Sequence, residues 1–386
     1  MINVQKEELA SGHSFYQRLL IIISVSTLIL IGLISIFSAT QSLDAGSYRF
    51  LERQIIWLGI AVVAGVFVSL VSLEKLKKLI PLAAIAAVAF LVLVLLPQVG
   101  NMVNGSRRWI SFGAVGFQPS EFAKVPFVFL LAYYLSMNQR YLKTLLRGFV
   151  IPVGFIALFC ILILVEPDFG TCALFGVVGM MIIYLAGARL IYLVPTIISG
   201  STLFLYLILQ DQVRLRRLTS FLDVEANKND GAYQLYQGQM AFGNGGIMGV
   251  GAGNGRFQNS YLPEAHTDFI YSIIGEEFGF VVTCLVLVLF MIIFCTVIFS
   301  MRRAPNLFEA LLALGSLLMI SMQALVNMGV VTGLLPTKGM SLPFISYGGS
   351  NLVVMCVFTG LLINCLRSWE KLPMRAERRK MVEITS

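Results

Sequence analysis

The stretch Leu19-Leu-Ile-Ile-Ile-Ser-Val-Ser-Thr-Leu-Ile-Leu-Ile-Gly-Leu-Ile-Ser-Ile-Phe37 contains no charged residue along its whole length. A helix of about 20 apolar residues is long enough to cross the hydrocarbon core of a bilayer. No small-residue cleavage signal follows this stretch, so we expect it to be an uncleaved first membrane span rather than a signal peptide.

The composition of the whole chain agrees with this reading. Its 386 residues are 58% hydrophobic and 12% charged, with a mean hydropathy of +0.85, whereas about 25% of residues are charged in soluble domains. The sequence predicts an all-α polytopic membrane protein, a single integral-membrane domain over residues 1–386 with ten transmembrane helices. The nine further spans are predicted at 55–72, 79–97, 121–137, 149–165, 170–187, 190–210, 269–300, 308–335 and 348–366.

The basic residues predict the orientation. With both termini cytoplasmic, the inner segments hold most of the 28 Lys and Arg residues, as the positive-inside rule requires. Residues 211–268 then form one large extracytoplasmic loop between spans 7 and 8. The excess of Lys and Arg on the cytoplasmic side also explains the net charge of +8, so no nucleic-acid partner is needed to account for it.

The cysteines and histidines exclude several kinds of site. The six cysteines lie in apolar stretches without CxxC spacing, so neither a disulfide framework nor a zinc site is indicated. With only His13 and His266, a multi-histidine metal site is excluded. Carboxylates that bind a hard divalent cation, Mg²⁺ or Mn²⁺, remain a candidate cofactor site.

The unusual polar motifs all fall on the predicted outer face. The inner loops, by contrast, are plain Lys/Arg stretches. The motifs are Asn104-Gly-Ser-Arg-Arg-Trp109, Gln118-Pro-Ser-Glu121, Glu166-Pro-Asp-Phe-Gly-Thr171, Arg214-Leu-Arg-Arg217, Pro263-Glu-Ala-His-Thr-Asp268, Pro336-Thr-Lys-Gly339 and Pro343-Phe-Ile-Ser-Tyr-Gly-Gly-Ser350.

Each motif also has a purely structural explanation. Arg108 and Trp109 suit an interfacial anchor as well as a phosphate clamp. Glu121 and Lys124 suit a local ion pair, although an ammonium just inside an apolar segment is by default a functional candidate. Asp168 suits a helix-capping turn.

The remaining motifs are equally open when each is taken alone. The Arg214, Arg216 and Arg217 run suits contact with lipid headgroups, and Pro343–Ser350 suits a helix-breaking turn. In Tyr261–Gly279, which concentrates five titratable side chains before an apolar run, Asp268 is either a helix cap or a general base. Structural roles alone do not explain why the motifs converge on one face.

Together the motifs describe an outer groove with several cations and at least one carboxylate beside a lipid-accessible wall. A lipid-linked pyrophosphate requires this combination, because cations hold the phosphates and a base activates the incoming hydroxyl. The chemistry indicated is glycosyl transfer from a polyprenyl pyrophosphate sugar.

The motifs resemble those of the SEDS family (shape, elongation, division, sporulation) in order and over nearly the whole chain. Pro263-Glu-Ala-His-Thr-Asp268 with Ile274-Gly-Glu-Glu277 is more similar to the division branch (FtsW-like) than to the rod-elongation branch (RodA-like). One departure is Arg107, an additional cation beside the matching Arg108.

The resemblance implies a ten-helix peptidoglycan glycosyltransferase of the bacterial cytoplasmic (inner) membrane that polymerises lipid II at the division septum. It also implies a class B penicillin-binding transpeptidase and other division-complex membrane proteins as partners. The family's essential carboxylate maps onto Asp268, which is implied to act as general base in an inverting transfer. The candidate substrate-binding residues are Arg108, Trp109, Glu121, Lys124, Asp168, Arg214, Arg216, Arg217, Glu264, His266, Lys338 and Ser346.

Two other functions compete with polymerisation by this branch. A lipid II flippase would move the substrate without bond chemistry, but transporters place their polar groups near the midplane, often within repeats, and no internal repeat is visible here. The second alternative is a polymerase of the rod-elongation branch, which would perform the same reaction in cell-wall elongation instead of division. The glycine-rich stretch Met240–Arg256 does not indicate a dinucleotide site, since no strand is predicted before it.

Overall fold

The computed structural model describes residues 2–40, 46–103, 106–112, 115–257 and 266–385, and most of these residues are helical. The helices are α1 (Ile2–Thr40), α2 (Gly46–Leu70), α3 (Leu73–Leu95), α4 (Pro119–Met137), α5 (Ile151–Val165), α6 (Phe169–Leu185), α7 (Leu190–Leu209), α8 (Gln212–Leu222), α9 (Tyr233–Gly245), α10 (Ile270–Ser300), α11 (Leu307–Val331) and α12 (Gly349–Thr385). A π-helical turn, Leu146–Val150, leads directly into α5.

The apolar runs in the sequence coincide with long helices. In the described part of the chain, eight helices are long and apolar enough to cross a membrane, and Phe169–Leu185 is a shorter apolar helix. A helix also lies at the predicted span 121–137, but α4 carries Glu121 and Lys124 in its first turns and is less apolar. The prediction of membrane-spanning helices is confirmed, while the total of ten stays a prediction.

The expectation of an all-α chain is wrong between α3 and α4. Strands β1 (Gly100–Val103), β2 (Ser106–Phe112) and β3 (Val115–Phe117) form a small antiparallel sheet in the order β1-β2-β3. Asn101 pairs with Trp109, and Ile110 pairs with Phe117. Strands this short escape a search for long apolar runs, because so few residues alternate between two faces.

The 211–268 segment is partly helical rather than a plain loop, since it contains α8 and α9. Helix α8 begins where the Asp211 carboxylate accepts hydrogen bonds from the backbone N–H groups of Val213 (3.0 Å) and Arg214 (3.3 Å). This is the capping expected for a helix that starts after an Asp. The position of α8 matters because it presents the arginine run.

Helix α10 is broken at Gly279, which has φ +74° and ψ −173°. The glycine-rich segment after α9 fills the break: the Val250 N–H donates to Glu276 O (3.0 Å) and the Phe280 N–H donates to Gly246 O (3.0 Å). A Cβ at Gly249, whose φ is +80°, would overlap the carbonyl of Glu277. The glycines therefore permit two backbones to approach closely.

The core of the bundle is formed by α11 and α12. In each of these helices, 83% of the residues in the apolar stretch are buried. Helix α2 packs chiefly against α12, whereas α3 packs against α4 and α5. The polar loops that carry the motifs gather around one end of α11, where it ends at Val331.

Candidate functional site

The centre of the site is the non-helical segment 336–348, which connects α11 to α12 (hereafter the 336–348 segment). Its Ser346 hydroxyl donates to the Thr267 carbonyl (2.6 Å) and accepts from the Leu342 N–H (2.7 Å). Its Tyr347 N–H donates to the His266 carbonyl (3.0 Å). The segment is thereby joined to the residues that immediately precede α10.

Asp268 lies at this junction. The N-cap position of α10 is occupied by Phe269, one residue later. A Cβ built at Gly339 would overlap Oδ2 of Asp268, so the carboxylate lies directly against the backbone of Gly339. The predicted catalytic carboxylate is thus next in space to the residue that follows Lys338.

Asp168 and Lys338 form an ion pair. The Lys338 ammonium lies 3.1 Å from Asp168 Oδ1, and the same carboxylate accepts hydrogen bonds from the Thr171 N–H (3.2 Å) and hydroxyl (2.8 Å). Asp168 is also the N-cap of α6. The capping explanation and the functional explanation therefore apply to the same side chain.

Burial and the surrounding charges together lower the pKa of both Asp168 and Lys338. Burial alone would raise the pKa of Asp168, but Lys338, Arg108 and the Thr171 hydrogen bonds hold it below its ordinary value. Burial lowers the pKa of Lys338, and the charges of Arg108 and Arg217 lower it further against the opposing effect of Asp168. The surroundings therefore favour anions, as expected where several cations share one buried site.

Arg108 holds the turn that presents Asp168. Its Nε donates to the carbonyl of Glu166 (3.0 Å) and its Nη2 to the carbonyl of Pro167 (2.7 Å). A guanidinium has five N–H donors, so these two bonds leave others for a ligand. Trp109, the next residue in β2, lies beside Gly116 of β3.

Glu166 is fully buried behind the turn, and neither of its carboxyl oxygens has a hydrogen-bond partner among the described residues. Burial, together with the negative charge of Asp168, raises the pKa of Glu166 to about 8, although Arg108 opposes the shift. This carboxyl is therefore mainly protonated at neutral pH. Glu166 belongs to the motif at 166–171, but the sequence did not predict a role for it.

Helix α8 contributes two of its three arginines. The Arg214 guanidinium lies 3.6 Å from the centre of the Phe169 ring and 3.3 Å from Asp211, and Arg217 is near enough to act on Lys338. Arg216 instead pairs with Asp230 on an exposed face. Positions 214 and 217 share a helix face that position 216 does not.

Glu121 and Lys124 are buried between helices. The Lys124 ammonium, 1% exposed, donates to Glu121 Oε1 (2.7 Å) and to Gln323 Oε1 (2.7 Å). The Gln323 amide in turn donates to the Ser341 carbonyl (2.9 Å). The pair therefore lies beneath the 336–348 segment and supports it through Gln323.

The remaining candidates have different positions. His266 contacts the rings of Phe50 (5.0 Å) and Tyr347 (5.6 Å), and Glu264 lies outside the described residues. No group of three or more His, Cys, Asp or Glu side chains in the described ranges is arranged to hold a metal ion. The described carboxylates thus offer a divalent cation no ready set of ligands, and no chemical step below depends on one.

Sequence reasoning also missed two amides of α11, Gln323 and Asn327. Asn327 Nδ2 donates to the carbonyls of Met340 (2.6 Å) and Asp268 (2.8 Å). Polar side chains one helical turn apart inside an apolar run are a recognisable signal. The average hydropathy of the 308–335 run concealed it.

A model of the FtsW/RodA/SpoVE family, described as cell cycle proteins, matches residues 18–371. The chain is 38% identical to stage V sporulation protein E of Bacillus subtilis over 90% of this chain and 96% of that protein. It is 36% identical to a probable peptidoglycan glycosyltransferase FtsW of Coxiella burnetii, over 89% and 94% of the two chains.

Solved structures show the same fold. The rod shape determining protein RodA of Thermus thermophilus superposes with a TM-score of 0.68 at 24% identity, over 90% of this chain and 96% of that chain. A chain from a peptidoglycan synthase complex of polymerisation and crosslinking gives a TM-score of 0.72 at 24% identity, covering 90% and 97%.

Proposed function

Because the chain belongs to the SEDS family, the cell cycle proteins that include FtsW, RodA and SpoVE, we propose that it is a peptidoglycan glycosyltransferase that polymerises lipid II at the division septum. The observation that carries the proposal is the position of Asp268 against Gly339, the residue that follows Lys338, whose ammonium pairs with Asp168. This arrangement supports a general base next to an anion-binding group.

In the proposed reaction, the Asp268 carboxylate accepts the proton of the 4-hydroxyl of the acceptor N-acetylglucosamine. The hydroxyl oxygen forms a bond to the anomeric carbon of the donor sugar, while the bond from that carbon to the phosphate oxygen breaks. Undecaprenyl pyrophosphate leaves with the bonding electrons, and attack from the opposite side inverts the anomeric centre. General-base assistance of this kind contributes about 10²–10⁴-fold in rate.

The cations hold the leaving group. Lys338 and Arg108 both contact the turn at Glu166–Asp168. From α8, Arg217 lies near Lys338 and Arg214 lies over the Phe169 ring. Negative charge accumulates on the pyrophosphate as the glycosidic bond breaks, so fixed cations stabilise the transition state more than the ground state. Trp109, Glu121, Lys124, His266 and Ser346 complete the proposed substrate site.

The polyprenyl tail is proposed to lie along α2. An open apolar groove of about 660 Å³ is lined there by Ile56, Gly59, Ile60, Val63, Ala64 and Phe67. The start of α2 also reaches the 336–348 segment, because Gln54 hydrogen-bonds to Ser346 O (3.4 Å) and the Gly348 N–H (3.4 Å). The groove therefore leads from the polar site towards the membrane interior.

The same proposal fixes orientation and partners. We propose that both termini are cytoplasmic, that ten helices span the bacterial cytoplasmic membrane, and that the site faces outward. A class B penicillin-binding transpeptidase and other division-complex membrane proteins are the proposed partners. The chain is similar to a sporulation protein and, in fold, to RodA, so these similarities do not distinguish the branches of the family. The proposal of the division branch rests on the motif at 263–268.

A lipid II flippase is the second candidate, and the buried Lys124 with Glu121 is the observation in its favour. Asp268→Asn separates the two functions, because Asn keeps the shape of Asp but cannot accept the proton. Purified Asp268→Asn protein should form no glycan strands from lipid II, while lipid II binding and thermal stability stay near wild type.

The matched control is Asp223→Asn, which changes an exposed carboxylate that accepts a hydrogen bond from the Ala226 N–H and should polymerise normally. If Asp268→Asn retains more than about a tenth of wild-type polymerisation, the assignment of the general base is wrong.

A further inference from the structure

One side chain of α11 connects the two halves of the site. Asn327 is 1% exposed, and its Nδ2 donates to the carbonyl of Asp268 on one side (2.8 Å) and to the carbonyl of Met340 on the other (2.6 Å). Both acceptors are backbone carbonyls, so only the NH₂ end of the amide can face them. The side chain therefore joins Asp268, two residues before the start of α10, to the 336–348 segment.

We infer that Asn327 is a positioning residue that fixes the Asp268 carboxylate relative to Lys338, through the backbones of Asp268 and Met340. The inference rests on the proposed function, since it assigns a second residue to the same reaction. It does not place Asn327 in contact with substrate.

The geometry favours positioning over general support of the fold. Met340 is two residues after Lys338, and Gly339 between them lies against the Asp268 carboxylate. The two bonds of Asn327 thus lie on either side of the contact between the Asp268 carboxylate and Gly339, the residue that follows Lys338. Gln323, one turn earlier, holds the adjacent carbonyl of Ser341 (2.9 Å), so consecutive carbonyls are held by consecutive turns of a buried helix.

Loss of the Asn327 hydrogen bonds should slow catalysis and leave the affinity for lipid II nearly unchanged. Catalysis requires the hydroxyl, the base and the leaving group to be aligned, and a misplacement of about 1 Å costs on the order of 10²-fold in rate. Affinity for lipid II depends on many contacts along the tail and the pyrophosphate. Loss of Asn327 is therefore expected to lower kcat and leave KM nearly unchanged.

The chain offers a closely matched control in Asn364 of α12. Its Nδ2 also donates to two backbone carbonyls, those of Val68 (2.6 Å) and Val71 (2.7 Å), and it is 6% exposed. These carbonyls lie at the C-terminal end of α2, whereas the site lies near its N-terminal end. Asn364→Leu removes the same two kinds of bond without touching the base or the cations.

The experiment measures polymerisation of purified lipid II by Asn327→Leu, Asn364→Leu and the wild type, each in detergent and with its thermal stability recorded. We expect Asn327→Leu to lower kcat by about 10–100-fold, by analogy with residues that orient functional groups, with KM within about twofold. Asn364→Leu should keep kcat near wild type at a similar loss of stability. Equal kcat values for the two variants would overturn the inference.

A second variant covers the case in which Asn327→Leu does not fold. Asn327→Ser leaves a hydroxyl and space for water, and it should also lose kcat selectively; a wild-type kcat would overturn the inference. The failure of the proposed function is distinguished by Asp268→Asn. If that variant polymerises, the base assignment is wrong, whereas an inactive Asp268→Asn with an unaffected Asn327→Leu rejects only the positioning role.

Discussion

Replacing Glu166 by Gln should stabilise the protein at alkaline pH and change little at acidic pH. The folded protein holds the proton of this buried carboxyl up to about pH 8, whereas the ordinary value is 4.5. An acid with a raised pKa in the folded state contributes stability that is fully present below pH 4.5 and is lost as the pH rises towards 8. Gln copies the protonated form and does not titrate, so the variant is free of this loss.

The size of the effect follows from these two values. Each pKa unit corresponds to about 1.4 kcal/mol, so the difference between about 8 and 4.5 limits the total effect to about 5 kcal/mol. Most of this change, about 3.5 kcal/mol by the same relation, falls between pH 5 and pH 8. Residual structure in the unfolded state would reduce it.

Thermal unfolding in detergent at pH 5, 6.5 and 8 measures the effect. The melting temperature of Glu166→Gln should rise relative to wild type as the pH increases. Glu225→Gln is the control, since Glu225 is exposed and pairs with Lys228 (3.2 Å), and the melting temperature of this variant should stay close to that of the wild type in all three buffers. Parallel curves for Glu166→Gln and wild type would refute the buried, protonated state of Glu166.

Two further predictions concern the site and the topology. Gly339→Ala should reduce polymerisation at least tenfold, because the new methyl group would overlap Asp268 Oδ2, whereas Gly200→Ala, which meets no atom within 4 Å, should be active; a fully active Gly339→Ala would contradict the placement of Asp268. A cysteine introduced at Asn227 should react with an impermeant maleimide in cells whose outer membrane alone is permeabilised. Labelling that requires lysis of the inner membrane would reverse the proposed orientation.

The sequence was sufficient to predict where most helices lie, because membrane spans depend on long apolar runs. It did not predict the sheet at 100–117, whose strands are shorter than any such run. It also could not show that Arg216 turns towards Asp230. Arg217 instead lies near Lys338, and Arg214 lies over the Phe169 ring. The residue at which α8 begins decides which arginines share a helix face, and the sequence alone did not show where α8 begins.

The site was predictable as a set of motifs but not as a set of contacts. Asp168 and Lys338 were both candidates, yet their ion pair joins residues far apart in the sequence and depends on the packing of α6 against α11. Asn327 escaped notice because one amide scarcely changes the hydropathy of a long run. Its importance depends on two carbonyls that only the fold brings to it.

The break in α10 has a consequence for local opening of the chain. Val250 and Gly251 donate to the carbonyls of Glu276 and Glu277, and Phe280 and Val281 donate to those of Gly246 and Ile247. Separating these two segments would leave eight backbone N–H and C=O groups without hydrogen bonds, and the free-energy cost rises with each unpaired group. The glycine-rich segment and the broken helix should therefore exchange their amide protons as one cooperative unit, so that neither opens to solvent without the other.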